Sequence, residues 1–255
     1  GVGNSSSRAN EVSYGLRTVD AGVGLRGRAA RHFLYGGSVG YFGAHSSEGA
    51  GPEPSIGRLF FASSTPGLGS APTWVHAGGF AAYDTRESPG YTRRGALYSL
   101  ALHRYADRGG QFSFDRAEVD LRQFIPVVHD NWVIALQGRA ELTGTAAGQA
   151  VPYFMLPAVG GRDTLPGFGQ YRFADRHSLL LRSELRWAAS PLVDMAVIFD
   201  EGKVAAKRVE LGFGGLKRSV GFGVRFHGPT FTALRVDVAR SAEGWRFNIT
   251  HGFSF

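Results

Sequence analysis

Arg182, Glu184 and Arg186 stand two residues apart in one alternating run, and Asp200 follows on the next. Residues spaced by two share one face of a strand. This run therefore carries guanidinium, carboxylate and guanidinium on one side, with Leu179, Leu181, Leu185 and Trp187 on the other. Such a set can form ion pairs. With a nucleophile in reach it could also serve hydrolysis, and His177 with Ser178 or Asp175, or His103, are the candidates. No nucleophile-elbow sequence accompanies them, and neighbouring His177 and Ser178 point to opposite faces of a strand. The reading is non-catalytic, with a barrel hydrolase as the rival. The eight histidines show no H-x-x-x-H spacing or acidic ligand cluster, so no metal site is expected. Gly22-Val23-Gly24-Leu25-Arg26-Gly27 satisfies G-x-G-x-x-G but lies inside a strand and opens no helix, so neither a nucleotide nor another cofactor is expected.

The elements that must position these residues are strands. Period-2 runs lie near 11–28, 31–43, 55–63, 71–86, 93–106, 110–125, 131–143, 177–189, 193–202, 217–227, 230–240 and 244–255. Turn residues such as Glu87-Ser88-Pro89-Gly90 and His227-Gly228-Pro229 separate them. No long segment carries a capped helical stripe, so the fold is read as all-β with about twelve strands. In the first run Val12, Tyr14 and Leu16 have one parity, and Ala21, Val23 and Leu25 the other. A bulge near Val19–Asp20 or a separate hairpin would explain that switch. Residues 1–9 are polar and aperiodic and read as a disordered lead-in, leaving one domain over 10–255. Zero cysteine excludes a disulfide framework. The chain opens at Gly1 with no n-region or h-region, as after removal of a signal peptide or in a piece of something longer. The net charge of +7 comes from scattered arginines, which does not suit nucleic acid.

Several runs match the ~9–11 residues that cross a bilayer at a tilt. Leu234, Val236 and Val238 oppose Arg235 and Asp237, and Val220, Phe222, Val224 and Phe226 oppose Gly221, Gly223 and Arg225. The polar faces hold Arg116, Arg122, Arg139, Arg182, Arg186, Arg225, Arg235 and Arg246 against Glu118, Asp120, Glu141, Glu184, Asp194, Asp200 and Asp237. Near balance suits a salt-bridged lumen, and the apolar faces suit lipid: a transmembrane antiparallel β-barrel. The competing reading is a soluble β-sandwich or lipocalin-like barrel with the faces reversed. The last strand places Trp245, Phe247, Phe253 and Phe255 on one side, and its ending resembles the C-terminal targeting strand of bacterial outer-membrane proteins. An even strand count would put both termini in the periplasm and the long loop from about Thr143 to Arg176 outside.

Within that loop, Gly160-Gly161-Arg162-Asp163-Thr164-Leu165-Pro166-Gly167-Phe168 resembles the loop motif of the bacterial surface antigen family, and Ile198-Phe199-Asp200-Glu201-Gly202 is similar to its following strand motif. Tyr83-Asp84-Thr85-Arg86 and Tyr171-Arg172-Phe173 also fit, so the resemblance covers roughly residues 70–255. That family supplies the barrels of outer-membrane assembly insertases, two-partner secretion transporters and the chloroplast import channel. The resemblance implies insertion or translocation of proteins at the bacterial outer membrane, with lateral opening between first and last strands. The implied partners are outer-membrane lipid and lipopolysaccharide, unfolded outer-membrane or secreted polypeptides, and periplasmic or accessory subunits. The alternative is an accessory barrel that scaffolds a partner. The family's insertases carry periplasmic domains ahead of the barrel, and nothing of that kind precedes residue 11. In the family the loop folds into the barrel and an arginine at its tip pairs with wall carboxylates. Here that position is Pro166, while Glu184 and Asp200 keep the wall side. Since a buried carboxylate needs a partner, either Arg162 or Arg172 substitutes, Arg172 foremost, or Asp200 pairs across strands with Arg182 or Arg225.

Overall fold

A computed structural model describes residues 1–128 and 131–252. The strands are β1 (Tyr14–Ala30), β2 (Phe33–Glu48), β3 (Thr73–Asp84), β4 (Gly95–Asp107), β5 (Phe114–Pro126), β6 (Trp132–Gly144), β7 (Ala158–Val159), β8 (Phe173–Ala174), β9 (His177–Ser190), β10 (Val193–Ala205), β11 (Lys217–His227), β12 (Thr232–Ser241) and β13 (Gly244–His251). Eleven form one antiparallel sheet in sequence order, β1 through β6 and then β9 through β13, while β7 and β8 make a small hairpin inside the long loop.

Burial runs opposite to that of a soluble protein. Arg182, Glu184, Arg186, Asp200, Arg225, Arg235 and Asp237 are buried, whereas Val23, Leu102, Phe222 and Phe247 are 73%, 55%, 40% and 63% exposed. Strands such as β9 to β12 alternate between these two populations, and the charged side faces the lumen. Charges leave water only when paired, and an apolar wall is left bare only when lipid covers it. The chain is a transmembrane antiparallel β-barrel with its long loop folded into the lumen, and the soluble reading with reversed faces does not hold.

Several expectations need correction. The run 55–63 is not a strand: Ile56–Leu59 is a single helical turn, α1, followed by tight turns at Phe61–Ser64. The main sheet therefore has eleven strands among the described residues, close to the expected count of about twelve. β1 pairs with β2 in unbroken register from Tyr14 to Arg28, so no bulge or extra hairpin occurs near Val19–Asp20. The parity switch instead marks a change in what fills the lumen. Leu16 is paired with inward-facing Ser46, and Tyr14, on the same parity, meets the loop residue Tyr153 edge-on at 5.0 Å. Where loop side chains fill the lumen, apolar residues point inward. Ala44, Trp74 and Phe114 do the same, in one cluster with Val151.

Within the sheet, β1 runs from the rim that carries the long loop and β13 runs towards the rim of short turns. Residues 1–9 are not a free lead-in. Gly3 N donates to Ala174 O at 2.8 Å and Ala174 N to Gly1 O at 2.9 Å, which adds this segment to the β7–β8 hairpin. Phe253 and Phe255 lie outside the described residues. Trp245 and Phe247 stand on the outer face of β13.

Val197, in the middle of β10, is 44% exposed and faces outward. Val197→Arg is expected to cost ~2–4 kcal/mol if that face meets the bilayer core. On a water-facing surface the same change would stay within about 0.5 kcal/mol. Unfolding titrations of the refolded protein in lipid vesicles separate the two.

Candidate lumen plug and its wall

The wall side of the site is a chain of ion pairs across β9, β11 and β12. Arg186 Nε lies 2.5 Å from Glu184 Oε1, and Glu184 Oε2 lies 2.8 Å from Arg225 Nη2. Arg225 Nη1 reaches Asp237 Oδ1 at 2.5 Å, and Asp237 Oδ2 meets Arg235 Nε at 2.8 Å. Small residues on the intervening positions allow this. Ala196 of β10 lies beside both Arg186 and Gly223 in register. A Cβ at Gly223 would collide with the Arg225 guanidinium and the Asp237 carboxylate, so glycine is required where that pair crosses the backbone. A second group lines β5 and β6: Arg122 pairs with Asp120 at 2.5 Å, Gln137 donates to Asp120 at 2.9 Å, and Arg139 pairs with Glu118 and Glu141 at 3.1 and 2.9 Å.

The loop enters from the long-loop rim. Gly160 and Gly161 have φ of +121° and +94°, a region that favours glycine, and Gly161 N bonds both Leu165 O and Phe168 O at 3.2 Å. This folds 160–168 into a compact tip that buries Leu165 and Phe168 in one cluster with Val159, Phe173, Leu180 and Val204. Gly167 is needed for a different reason: a Cβ there would press on the backbone of Arg240 at 2.8 Å.

Contacts between tip and wall run from wall donors to loop carbonyls. Arg235 Nη2 donates to Arg162 O at 2.7 Å, Arg182 Nη1 to Asp163 O at 3.3 Å, Asn248 Nδ2 to Pro166 O at 3.0 Å and Ser241 Oγ to Gly167 O at 2.6 Å. In return Gly167 N donates to Ser219 Oγ at 2.8 Å. Neither expected substitute for the tip arginine reaches Asp200. The Arg162 side chain is half exposed and its ion partner is Asp163 at 3.5 Å. Arg172 binds Glu243 at 2.7 Å and Ser6 Oγ at 2.9 Å. Asp200 takes the cross-strand partner instead, Arg182 Nε at 3.1 Å. Arg225 serves Glu184 and Asp237, not Asp200. The second oxygen of Asp200 is buried without a hydrogen-bond partner among the described residues, and Ser219, directly opposite Asp200 in register, is the residue that holds Gly167.

At the other end of the lumen the β3–β4 connection, residues 85–94, crosses to the far wall. Gly90 O accepts from Thr232 N at 2.9 Å, and Ser88 Oγ donates to Thr230 O at 2.9 Å. Tyr91 stacks on His227 with centroids 3.8 Å apart and donates to Asp194 Oδ2 at 2.8 Å, while Arg186 Nη1 donates to Thr92 O at 3.2 Å. Burial, and then the bond to Asp194, push the Tyr91 hydroxyl up to about 12. Sequence reasoning took 87–90 for an ordinary turn. Its signal for a strap was the aromatic beside a Pro-Gly, too little to place Ser88 and Gly90 on a wall 142 residues away in sequence at Thr230 and Thr232.

The hydrolase candidates do not converge. His177 Nδ1 accepts from Thr143 N at 3.2 Å, Asp175 accepts from Arg176 N at 2.8 Å, and His103 stands near Tyr105, 6.5 Å between centroids. Among the described residues no group of three metal-ligating side chains occurs.

A model of the Omp85 superfamily domain matches residues 73–255. The chain belongs to the Omp85 superfamily. Among solved structures the Omp85 chain is similar to BamA from Haemophilus ducreyi lacking POTRA domains 1–3, at 16% identity and TM-score 0.74, covering 98% of this chain and 56% of that one. It is also similar to CdiB from Acinetobacter baumannii, at 13% identity and TM-score 0.61, covering 99% and 45%. It thus spans about half the length of each. No curated protein matches it in sequence.

Two predictions follow from the lumen geometry. Pro166→Arg offers the idle Asp200 oxygen a donor from the loop, and is expected to slow proteolysis of the 145–176 loop at least several-fold; unchanged cleavage would show that the slot is out of reach. The Tyr91–Asp194 bond needs the protonated phenol. Because the folded value lies above the ordinary 10, its contribution is complete below pH 10 and lost as pH rises towards about 12. Tyr91→Phe should lower stability by about 1.5–3 kcal/mol at neutral pH and abolish that alkaline phase in thermal melts.

Proposed function

We propose that this chain is the membrane-embedded part of a bacterial outer-membrane device that inserts or translocates polypeptides, and that it is not an enzyme. The observation that carries the reading is membership of the Omp85 superfamily over residues 73–255, on a barrel whose charged faces turn inward and whose apolar faces turn outward. The β1–β2 hairpin, with β1 exposed on both faces along almost its whole length, is the part least held by packing. A client strand taken up there would be held by main-chain hydrogen bonds without regard to its sequence. The long-loop rim then faces outward from the cell and β13 ends at the periplasm. The clients would be unfolded outer-membrane or secreted polypeptides, with accessory subunits delivering them.

A second reading, an accessory barrel that scaffolds a partner, draws support from a lumen closed at both ends by the 160–168 tip and the 85–94 strap. Strand capture at β1 separates the two. Cysteines placed along β1 at Val19, Val23 or Leu25 should cross-link to an extended peptide with the sequence of residues 244–255, in alternating register and more than tenfold above a scrambled peptide. Equal labelling of both peptides, or none, sinks the insertion reading and leaves the scaffold.

A further inference from the structure

We propose that the outer face of β10–β13 at the long-loop rim is a docking face for phosphate-bearing glycolipid headgroups, those of the lipopolysaccharide leaflet. All three lysines of the chain, Lys203, Lys207 and Lys217, fall within fifteen residues around the β10–β11 turn. Lys217 is turned inward, its ammonium 5.1 Å from the Phe173 ring. The others join a band of cations on the outside. Lys203 lies between buried Gly202 and Val204 and so faces out, its Nζ tied to Gly214 O at 2.8 Å. Arg218, with its side chain 71% exposed, spends one nitrogen on Glu201 at 2.5 Å. Arg240 sits beside Val220 and Trp245 in register, its guanidinium 5.7 Å from the Trp245 ring. Above them Lys207 and Arg208 are exposed.

Position makes this band more than a solvated surface. Phe199, Val220, Phe222, Val238 and Phe247 lie immediately below it and are exposed, so the cations stand at the boundary of the lipid-facing belt. That is headgroup depth. The opposite rim of β9–β12 presents Trp187, Met195, Phe226 and Leu234, with no cation on the outer face. A ligand suited to the band carries anions at one end and acyl chains at the other. Guanidinium groups match phosphate oxygens in pairs, and Trp245 supplies the amphipathic ring found at such interfaces. An acidic protein would match the charge but leave the apolar belt bare. The proposal rests on the barrel and its outward rim, not on any polypeptide client.

The test uses the full chain in neutral detergent micelles, titrated with diphosphorylated lipid A, with its dephosphorylated form and with inorganic pyrophosphate. Binding is read as the shift of the thermal midpoint and as lipid retained per protein on native mass spectrometry. The diphosphorylated lipid should bind, and Lys203→Ala/Arg218→Ala/Arg240→Ala should weaken it on the order of 100-fold. Arg218→Lys/Arg240→Lys, which keeps the charges but loses the paired donors, should bind between the unaltered chain and the triple alanine variant and guards against a folding artefact. Equal binding by the triple alanine variant, equal binding of the dephosphorylated lipid, or a pyrophosphate effect as large as the lipid's would each overturn the proposal. So would preferential capture of a polyglutamate peptide. Failure of β1 to take a client strand leaves the outcome untouched, because no client enters this titration.

Discussion

The buried charges of β9, β11 and β12 each meet an opposite charge inside the protein, and the rest of the structure is arranged around that constraint. Removing a carboxylate from water costs several kcal/mol unless a partner and hydrogen bonds compensate. Glu184 meets it with two guanidinium groups, and each of those passes the requirement on, Arg225 to Asp237 and Asp237 to Arg235. The chain of five is closed only because Ala196 and Gly223 leave the intervening wall bare of side chains. A larger residue at either position would separate charges that cannot stand alone.

The same arginines reach beyond the wall. Arg182 and Arg235 donate to carbonyls of the loop tip, and Arg186 donates to a carbonyl of the strap. The ion-pair chain therefore links the plug at one mouth with the strap at the other. In this chain the wall supplies the donors and the loop the acceptors, because Pro166 stands where the related motif carries arginine. Backbone carbonyls are present whatever the side chain, so the tip tolerates that loss provided Gly160, Gly161 and Gly167 preserve its path.

All eleven strands of the main sheet were legible, because period-2 alternation survives wherever one face meets lipid and the other meets charge. It failed where that contrast disappears. Residues 55–63 carry Ile56, Phe60 and Phe61, which resemble a strand, yet Ile56 alone is buried and Phe61 is 71% exposed at the rim. The first strand seemed broken at Val19–Asp20 since the lumen changes from polar to apolar along its length, which a one-dimensional pattern reports as a phase shift. The loop motif was recognisable from its glycines. Which arginine serves Asp200 was not, because Arg162, Arg172, Arg182 and Arg225 are equivalent in sequence and differ only in where strand register carries them. The Tyr91 strap was invisible for the same reason, as its partners come from turns and strands remote in the chain.

Support is unevenly distributed around the barrel, and that bears on what can move. From β9 to β12 the inner face is a continuous set of buried ion pairs, bonded to the plug and the strap. At β1 and β2 the inner face presents Gly22, Gly24, Gly36 and Gly40, and the side-chain contact formed there, Asp20 with His76 of β3 at 3.2 Å, leaves the aspartate side chain 63% exposed. Few side chains hold this hairpin to the lumen, so it depends chiefly on its backbone ladder. Segments with little packing open at the lowest cost, and a strand that must exchange partners has to be drawn from such a segment. The charge network fixes one wall firmly enough that the β1–β2 hairpin can remain loosely held without the barrel losing its shape.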